Sequence, residues 1–204
     1  MLLLASGAAH GAAPTAACAA LCGEWRLDTA TSDDRGQVLD AAFEKFKDPK
    51  PRHRAAPPPD ADVAAVGAIL DEESLKPTFT RLPREQLRDE LQQLMRQPAT
   101  LTLSASGKDI RVASSGGPGD RLTPGQPHTR VDRYGTARIS TSWKGAKLVV
   151  VEKYDRKNMQ ETTFSLRSSD GALEVQQVIT RAGLPRVSFR SVYRNAGQPG
   201  LESG

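Results

Sequence analysis

Apolar and polar positions along this chain follow two different periods, and the change falls at Pro98. Before it, apolar residues recur at helical spacing. Leu39, Ala42, Phe43 and Phe46 fall at i, i+3, i+4 and i+7, which predicts an amphipathic helix over 33–47, stopped before Pro49. Ser32 is placed as its N-cap, with Asp33 and Asp34 in the first turn, where the helix dipole favours anions. Val63, Val66, Gly67 and Leu70 predict a second helix over 62–73. Pro83 opens a third over 83–96, with Glu85 in its first turn and Leu87, Leu91, Leu94 and Met95 on one face. Residues 49–59 carry five prolines, which remove backbone donors and fix φ, so this stretch reads as a linker.

After Pro98 the period is that of strands. Leu101, Leu103 and Ala105 alternate with Thr100, Thr102 and Ser104, and Gly107-Lys108 turns the chain into Ile110–Val112. Ala137, Ile139, Thr141 and Trp143 oppose Arg138, Ser140, Ser142 and Lys144, and Lys144-Gly145 leads into Leu148–Tyr154. Phe164 and Leu166 belong to a strand that ends at Ser169-Asp170-Gly171. Leu173, Val175, Gln177 and Ile179 oppose Glu174, Gln176 and Thr180, and Ala182-Gly183 turns into Val187, Phe189, Ser191 and Tyr193. Gly23–Asp28 adds one short strand ahead of the helices. Turns at such regular spacing predict an antiparallel meander of about eight to ten strands. A sheet of that size curls or closes, because an open one leaves edges exposed. The expected fold is therefore mainly β (α+β). Gly23–Asp28 completes the sheet beside a late strand, and the helices pack at one end or flank. One domain is expected over 23–195, with 29–97 as a helical insertion and 196–204 as a disordered tail.

Composition narrows the picture. The chain has 204 residues, 38% of them apolar, with 17 Gly and 14 Pro; this suits one domain with a proper core plus linker. No apolar run nears the roughly 20 residues of a membrane-spanning helix. Two cysteines exclude a disulfide-dense scaffold and a four-thiolate zinc site. Leu2-Leu3-Leu4 and the Ala/Gly-rich stretch to Ala20 precede the first acidic residue, Glu24, and the first basic one, Arg26. This is an export signal without its basic start, or a low-complexity alanine tail. Export to the periplasm or the exterior is the expectation, with residues 1–22 as signal peptide or disordered N-terminus and a mature start between 12 and 23. Thr15-Ala16-Ala17-Cys18 departs from a lipobox at Thr15, so a Cys18–Cys22 disulfide is expected ahead of lipidation.

The net charge of +4 is uneven: residues 127–204 carry 13 basic and 7 acidic side chains, and residues 1–126 carry 15 and 17. The basic residues alternate with apolar ones along the predicted strands, as on a solvated sheet face. There is no aromatic platform for nucleic acid, so an anionic envelope component is the partner that this charge suggests. The chain holds no nucleophile elbow, phosphate-binding loop, zinc-protease helix or dinucleotide fingerprint. Ser114–Gly119 reads as a hairpin loop. His128 is within strand reach of Asp132 and Glu152, but a lone strand histidine reads as an exposed polar residue. The Asp33-Asp34 pair is accounted for by a helix first turn. No catalytic residue, metal site or cofactor is assigned, and an enzyme is not expected.

Gly23-Glu24-Trp25 resembles the Gly-x-Trp that opens the first strand of lipocalins. In that superfamily an Arg or Lys of the last strand packs over the Trp and closes the barrel end. The resemblance implies a buried Trp25 covered by Arg190 or Arg194, and a Gly23 required by close approach or positive φ. More widely, residues 23–195 resemble a group of uncharacterised exported bacterial proteins. These open with a Gly-x-Trp-x-Leu-(Asn/Asp) strand and a nearby Ser-Asp, matched here by Gly23, Trp25, Leu27, Asp28, Ser32 and Asp33. The resemblance implies a lipocalin-like barrel and carries no activity. The chain departs from lipocalins where their large loop is replaced by about 70 residues of helix and linker. Two readings of the interior stay open. A filled barrel makes the protein a structural or interaction module of the cell envelope, which is the expected function. A hollow one makes it a carrier of a small apolar ligand or lipid, lined by Trp143, Ile139, Phe164 and Phe189, with the helices as lid.

Overall fold

A computed structural model of the chain describes residues 14–46 and 84–197, residues 116 and 118 excepted. The expected helix 62–73, the linker 49–59, residues 1–13 and residues 198–204 lie outside the described residues. Helix α1 (Pro14–Leu21) is followed by strand β1 (Gly23–Leu27), then by α2 (Arg35–Glu44) and α3 (Arg84–Leu94). Nine strands complete the chain: β2 (Thr100–Ser106), β3 (Asp109–Ser114), β4 (Asp120–Leu122), β5 (His128–Asp132), β6 (Gly135–Lys144), β7 (Lys147–Lys153), β8 (Met159–Leu166), β9 (Leu173–Thr180) and β10 (Val187–Asn195).

All ten strands form one antiparallel sheet in the order β4-β3-β2-β1-β10-β9-β8-β7-β6-β5. This is the mainly β meander that the alternation predicts, with the helical insertion after the first strand. β1 lies between β2 and the last strand, so the chain's beginning and end are stitched together. The sheet curls until its edges, β4 and β5, face each other. No backbone ladder joins them; side chains span the gap instead.

Each hairpin follows from local chemistry. The β6–β7 connection is two residues long, and Gly145 enters it at φ +62°, a region that side chains disfavour. Burial then alternates along β9 without a break: Leu173, Val175, Gln177 and Ile179 face inward and their neighbours outward. The same alternation on β10 turns Phe189, Ser191 and Tyr193 inward.

The Ser-Asp pair after β1 has a role that a helix cap does not explain. β1 stops at Leu27, where β10 still has unpaired backbone groups. The Asp28 N–H donates to Val192 O at 2.8 Å, and Ser32 Oγ accepts from Val192 N at 2.9 Å. Asp33 N–H donates to Arg190 O at 2.9 Å, while its carboxylate accepts from Arg190 N at 2.7 Å. These bonds cover the β10 edge that an absent strand would otherwise cover. The helix therefore starts later than expected. Asp34, not Ser32, is its N-cap, and its carboxylate accepts from Gln37 N at 2.9 Å.

Two apolar clusters close the two ends of the curled sheet. Leu39 and Phe43 of α2 and Leu91 and Leu94 of α3 bury against Ile179, Val187 and Phe189. At the other end α1 touches both β2 and β8, which stand nearly opposite each other around the curl. Residues 14–21, expected within a signal peptide or disordered N-terminus, are thus a helix that sinks Cys18 and Leu21 into a core shared with Trp25, Leu103, Leu148 and Phe164. Burying a leucine-sized side chain contributes about 1.5–3 kcal/mol, so α1 is bound through its own apolar face.

Trp25 corrects the expected barrel closure. It is 3% exposed and faces inward, but its indole N–H donates to Leu21 O at 3.0 Å, and among the described residues no arginine lies over its ring. Trp25 lies opposite Asn195, so strand alternation sends Arg190 and Arg194 to the outer face. There Arg194 pairs with Asp28 at 2.8 Å, and Arg190 sits 3.7 Å from Asp33 and 3.8 Å from Glu174. Gly23 has φ +151°, and a Cβ added there would meet the Trp25 indole nitrogen at 3.6 Å. Cys18 and Cys22 also differ from expectation: they are free thiols with sulfurs 3.1 Å apart. A helical turn holds Cβ atoms four residues apart at about 5–6 Å, wider than a disulfide's roughly 3.5–4.5 Å. Burial, with the neighbouring Cys22 sulfur, pushes the Cys18 thiol up to about 12.

Candidate functional site

Inside the curl the sheet lines a partly open cavity of about 570 Å³. Strand register grades its polarity. The row nearest α1 runs Leu148, Phe164, Val175 across β7, β8 and β9; the next runs Val150, Thr162, Gln177; the third begins Glu152, Gln160. On β8 the lining passes from Phe164 through Thr162 to Gln160, and the steps from Val150 to Glu152 on β7 and from Val175 to Gln177 on β9 likewise move from apolar to polar. Leu101, Val112 and Leu122 extend the apolar wall on the strands across the cavity.

Ile139 and Phe164, two of the four expected lining residues, do line the cavity. The other two share the inward face but lie beyond the cavity. Trp143 packs half-buried against the cluster that holds Leu21 and Trp25. Phe189 is fully buried under α2 and α3.

The polar end is built around Arg130 of β5. Its Nη1 lies 3.2 Å from Asp120 of β4, which makes this ion pair the bridge across the open seam of the sheet. Its Nη2 lies 2.5 Å from Glu152 and 3.7 Å from Asp132. Arg130 and Glu152 are largely buried, at 23% and 13% side-chain exposure, so water screens them little. Tyr154 OH donates to Asp132 at 2.5 Å, and Tyr134 N donates to the other carboxylate oxygen at 2.8 Å. Burial alone would raise the Asp132 pKa; those two bonds and the Arg130 charge outweigh it and hold the carboxyl below its usual value. Burial, together with the bond to Asp132, raises the Tyr154 hydroxyl.

A buried amide pair completes this end. Gln177 Nε2 donates to the Arg96 carbonyl at 2.6 Å, and Gln160 Nε2 donates to Gln177 Oε1 at 3.2 Å. A backbone carbonyl only accepts, so Gln177 must present its nitrogen there, and the direction of the whole chain follows. Gln160 is left offering its own carbonyl oxygen. Sequence reasoning did not assign Arg130, Glu152, Gln160 or Gln177 to the site; the one available signal was Gln177, a polar residue in an otherwise apolar row. His128, weighed against Asp132 and Glu152, is exposed on β5, and Arg130 holds both acids instead.

Fold and site together define a ten-stranded curled meander with a helical insertion after its first strand and one graded cavity inside. No protein-family model matches the chain, and no curated protein matches it in sequence. Among solved structures it is similar to a mutant of the REP1-NXSQ fatty acid transporter, at 12% identity and TM-score 0.46, over 87% of this chain and 99% of that one. It is also similar to a secretory abundant heat soluble protein from Ramazzottius varieornatus, at 9% identity and TM-score 0.49, over 87% and 96%. A third is lipid binding protein 8 of Caenorhabditis elegans in its apo form, at 9% identity and TM-score 0.45, over 85% and 94%.

Proposed function

We propose that this protein is a carrier that holds one small amphiphilic or apolar ligand inside its curled sheet. The observation behind this reading is the graded cavity. Its volume, about 570 Å³, falls within the roughly 300–1,000 Å³ of small-molecule sites. A filled barrel, the requirement of the structural-module reading, would leave no such space. The ligand's apolar part lies by Phe164 and Val175, and its polar part by Glu152 and Gln160. Gln177 ties the cavity wall to the carbonyl of Arg96, just beyond α3.

The test is fluorescence titration with N-phenyl-1-naphthylamine, an uncharged apolar probe, on delipidated protein. The reading expects saturable binding of one probe per chain, lost in Val150→Trp, which fills the middle of the cavity. Probe binding that is absent, or unchanged in the folded variant, would reject it. Export is a separate proposal, supported by the acid-free apolar N-terminus. It is compatible with the buried α1 if cleavage falls before Pro14.

A further inference from the structure

We infer that the ligand carries a head group that donates hydrogen bonds and bears no negative charge, such as a long-chain alcohol, monoacylglycerol or amine, rather than a fatty-acid carboxylate. The inference rests on the carrier reading and adds to it the chemistry of the head group.

Three carboxylates line the cavity (Asp120, Asp132 and Glu152) against two guanidinium groups, Arg96 and Arg130. Arg96 is exposed. Arg130 is the inner cation, and both of its terminal nitrogens are already engaged by carboxylates, at 3.2 Å and 2.5 Å. An anionic head at Arg130 would share a guanidinium whose charge three carboxylates already offset, and would face those carboxylates across a poorly screened space. A donor head meets the opposite situation. Gln160 offers its carbonyl oxygen because its amide nitrogen is committed to Gln177, and Glu152 has acceptor capacity left after its bond to Arg130. Hydroxyl or ammonium hydrogens can be added to these acceptors without breaking an existing bond. A cationic head would also offset the excess of one negative charge.

The experiment displaces N-phenyl-1-naphthylamine from the delipidated full chain with three amphiphiles of one chain length: 1-oleoylglycerol, oleylamine and oleate. At neutral pH, and below their aggregation thresholds, the first two are expected to compete at least about tenfold better than oleate. Asp132→Asn/Glu152→Gln, which leaves Arg130 paired with Asp120 alone, is expected to improve oleate about tenfold and to weaken 1-oleoylglycerol. Oleate competing as well as or better than 1-oleoylglycerol in the wild-type protein would overturn the inference, whether or not the variant folds. Bound probe that none of the three displaces would also overturn it. If the probe itself does not bind, the carrier reading fails, a result distinct from a wrong head group.

Discussion

Replacing Arg130 by Met tests whether side chains, in place of a ladder, hold the β4–β5 seam together. Methionine keeps much of the aliphatic bulk and removes the charge that Asp120, Asp132 and Glu152 share. An exposed ion pair is worth about 0.2–1 kcal/mol, whereas breaking a buried one costs about 3–5 kcal/mol. Arg130 is 23% exposed and Glu152 13%, nearer the buried limit, so the loss should be about 2–3 kcal/mol at neutral pH. For a domain of this size that is a fall in Tm of about 5–10 °C. The pH dependence separates the ion network from lost packing. In the wild-type protein the Asp132 pKa is lowered, so its contribution is complete above the unfolded value of about 3.9 and is lost as pH falls through the folded value. Without Arg130, burial is less opposed and the Asp132 pKa rises, so the variant takes up a proton sooner and the gap between the two proteins narrows towards about pH 4.5. Thermal denaturation followed by circular dichroism at both pH values measures this. A loss under about 1 kcal/mol, or one independent of pH, would refute the account of the seam.

Trp25→Phe should cost about 1 kcal/mol for its lost bond to Leu21 O, and Trp25→Ala about 3–5 kcal/mol. Double-mutant cycles of Trp25→Phe with Arg190→Met and with Arg194→Met, read by urea unfolding, should be additive within about 0.5 kcal/mol, because both arginines lie on the opposite face. Gly23→Ala should lower stability by about 1 kcal/mol or more, since φ +151° suits no side chain well; urea midpoints measure it. N-terminal sequencing of protein from its native cell should find a cleaved start at residues 12–14 and not Met1, and a recombinant chain beginning at Gly23 should lose several degrees of Tm with the Cys18 and Leu21 contacts gone.

The fold was legible wherever inward positions are apolar. Strands β6, β9 and β10 have long alternating runs, and Gly145, Gly171 and Gly183 mark three of the four turns between β6 and β10, so period and turn residues identified them. β4 and β5 were not legible. β4 has three residues, too few to show a period. β5 inverts the usual code, with Arg130 and Asp132 turned towards the cavity and Val131 left 77% exposed outside. The same inversion hid the polar half of the site, because charged strand residues read as a solvated face. Ile139 and Phe164 were found as apolar members of alternating rows. Trp143 and Phe189 satisfied the same criterion, but alternation fixes a face and not a height along the barrel. The Ser32-Asp33 pair looked like a helix start because both residues commonly cap helices; their partner, the backbone of β10, lies more than 150 positions away in sequence.

The central claim is that the interior takes one ligand, and calorimetric titration of the delipidated chain with 1-oleoylglycerol tests it most directly. The account predicts one molecule bound per chain with a negative heat-capacity change, as apolar surface enters the cavity, and no binding to Val150→Trp. Absence of binding, several molecules per chain, or an undiminished isotherm for the folded Val150→Trp variant would contradict it.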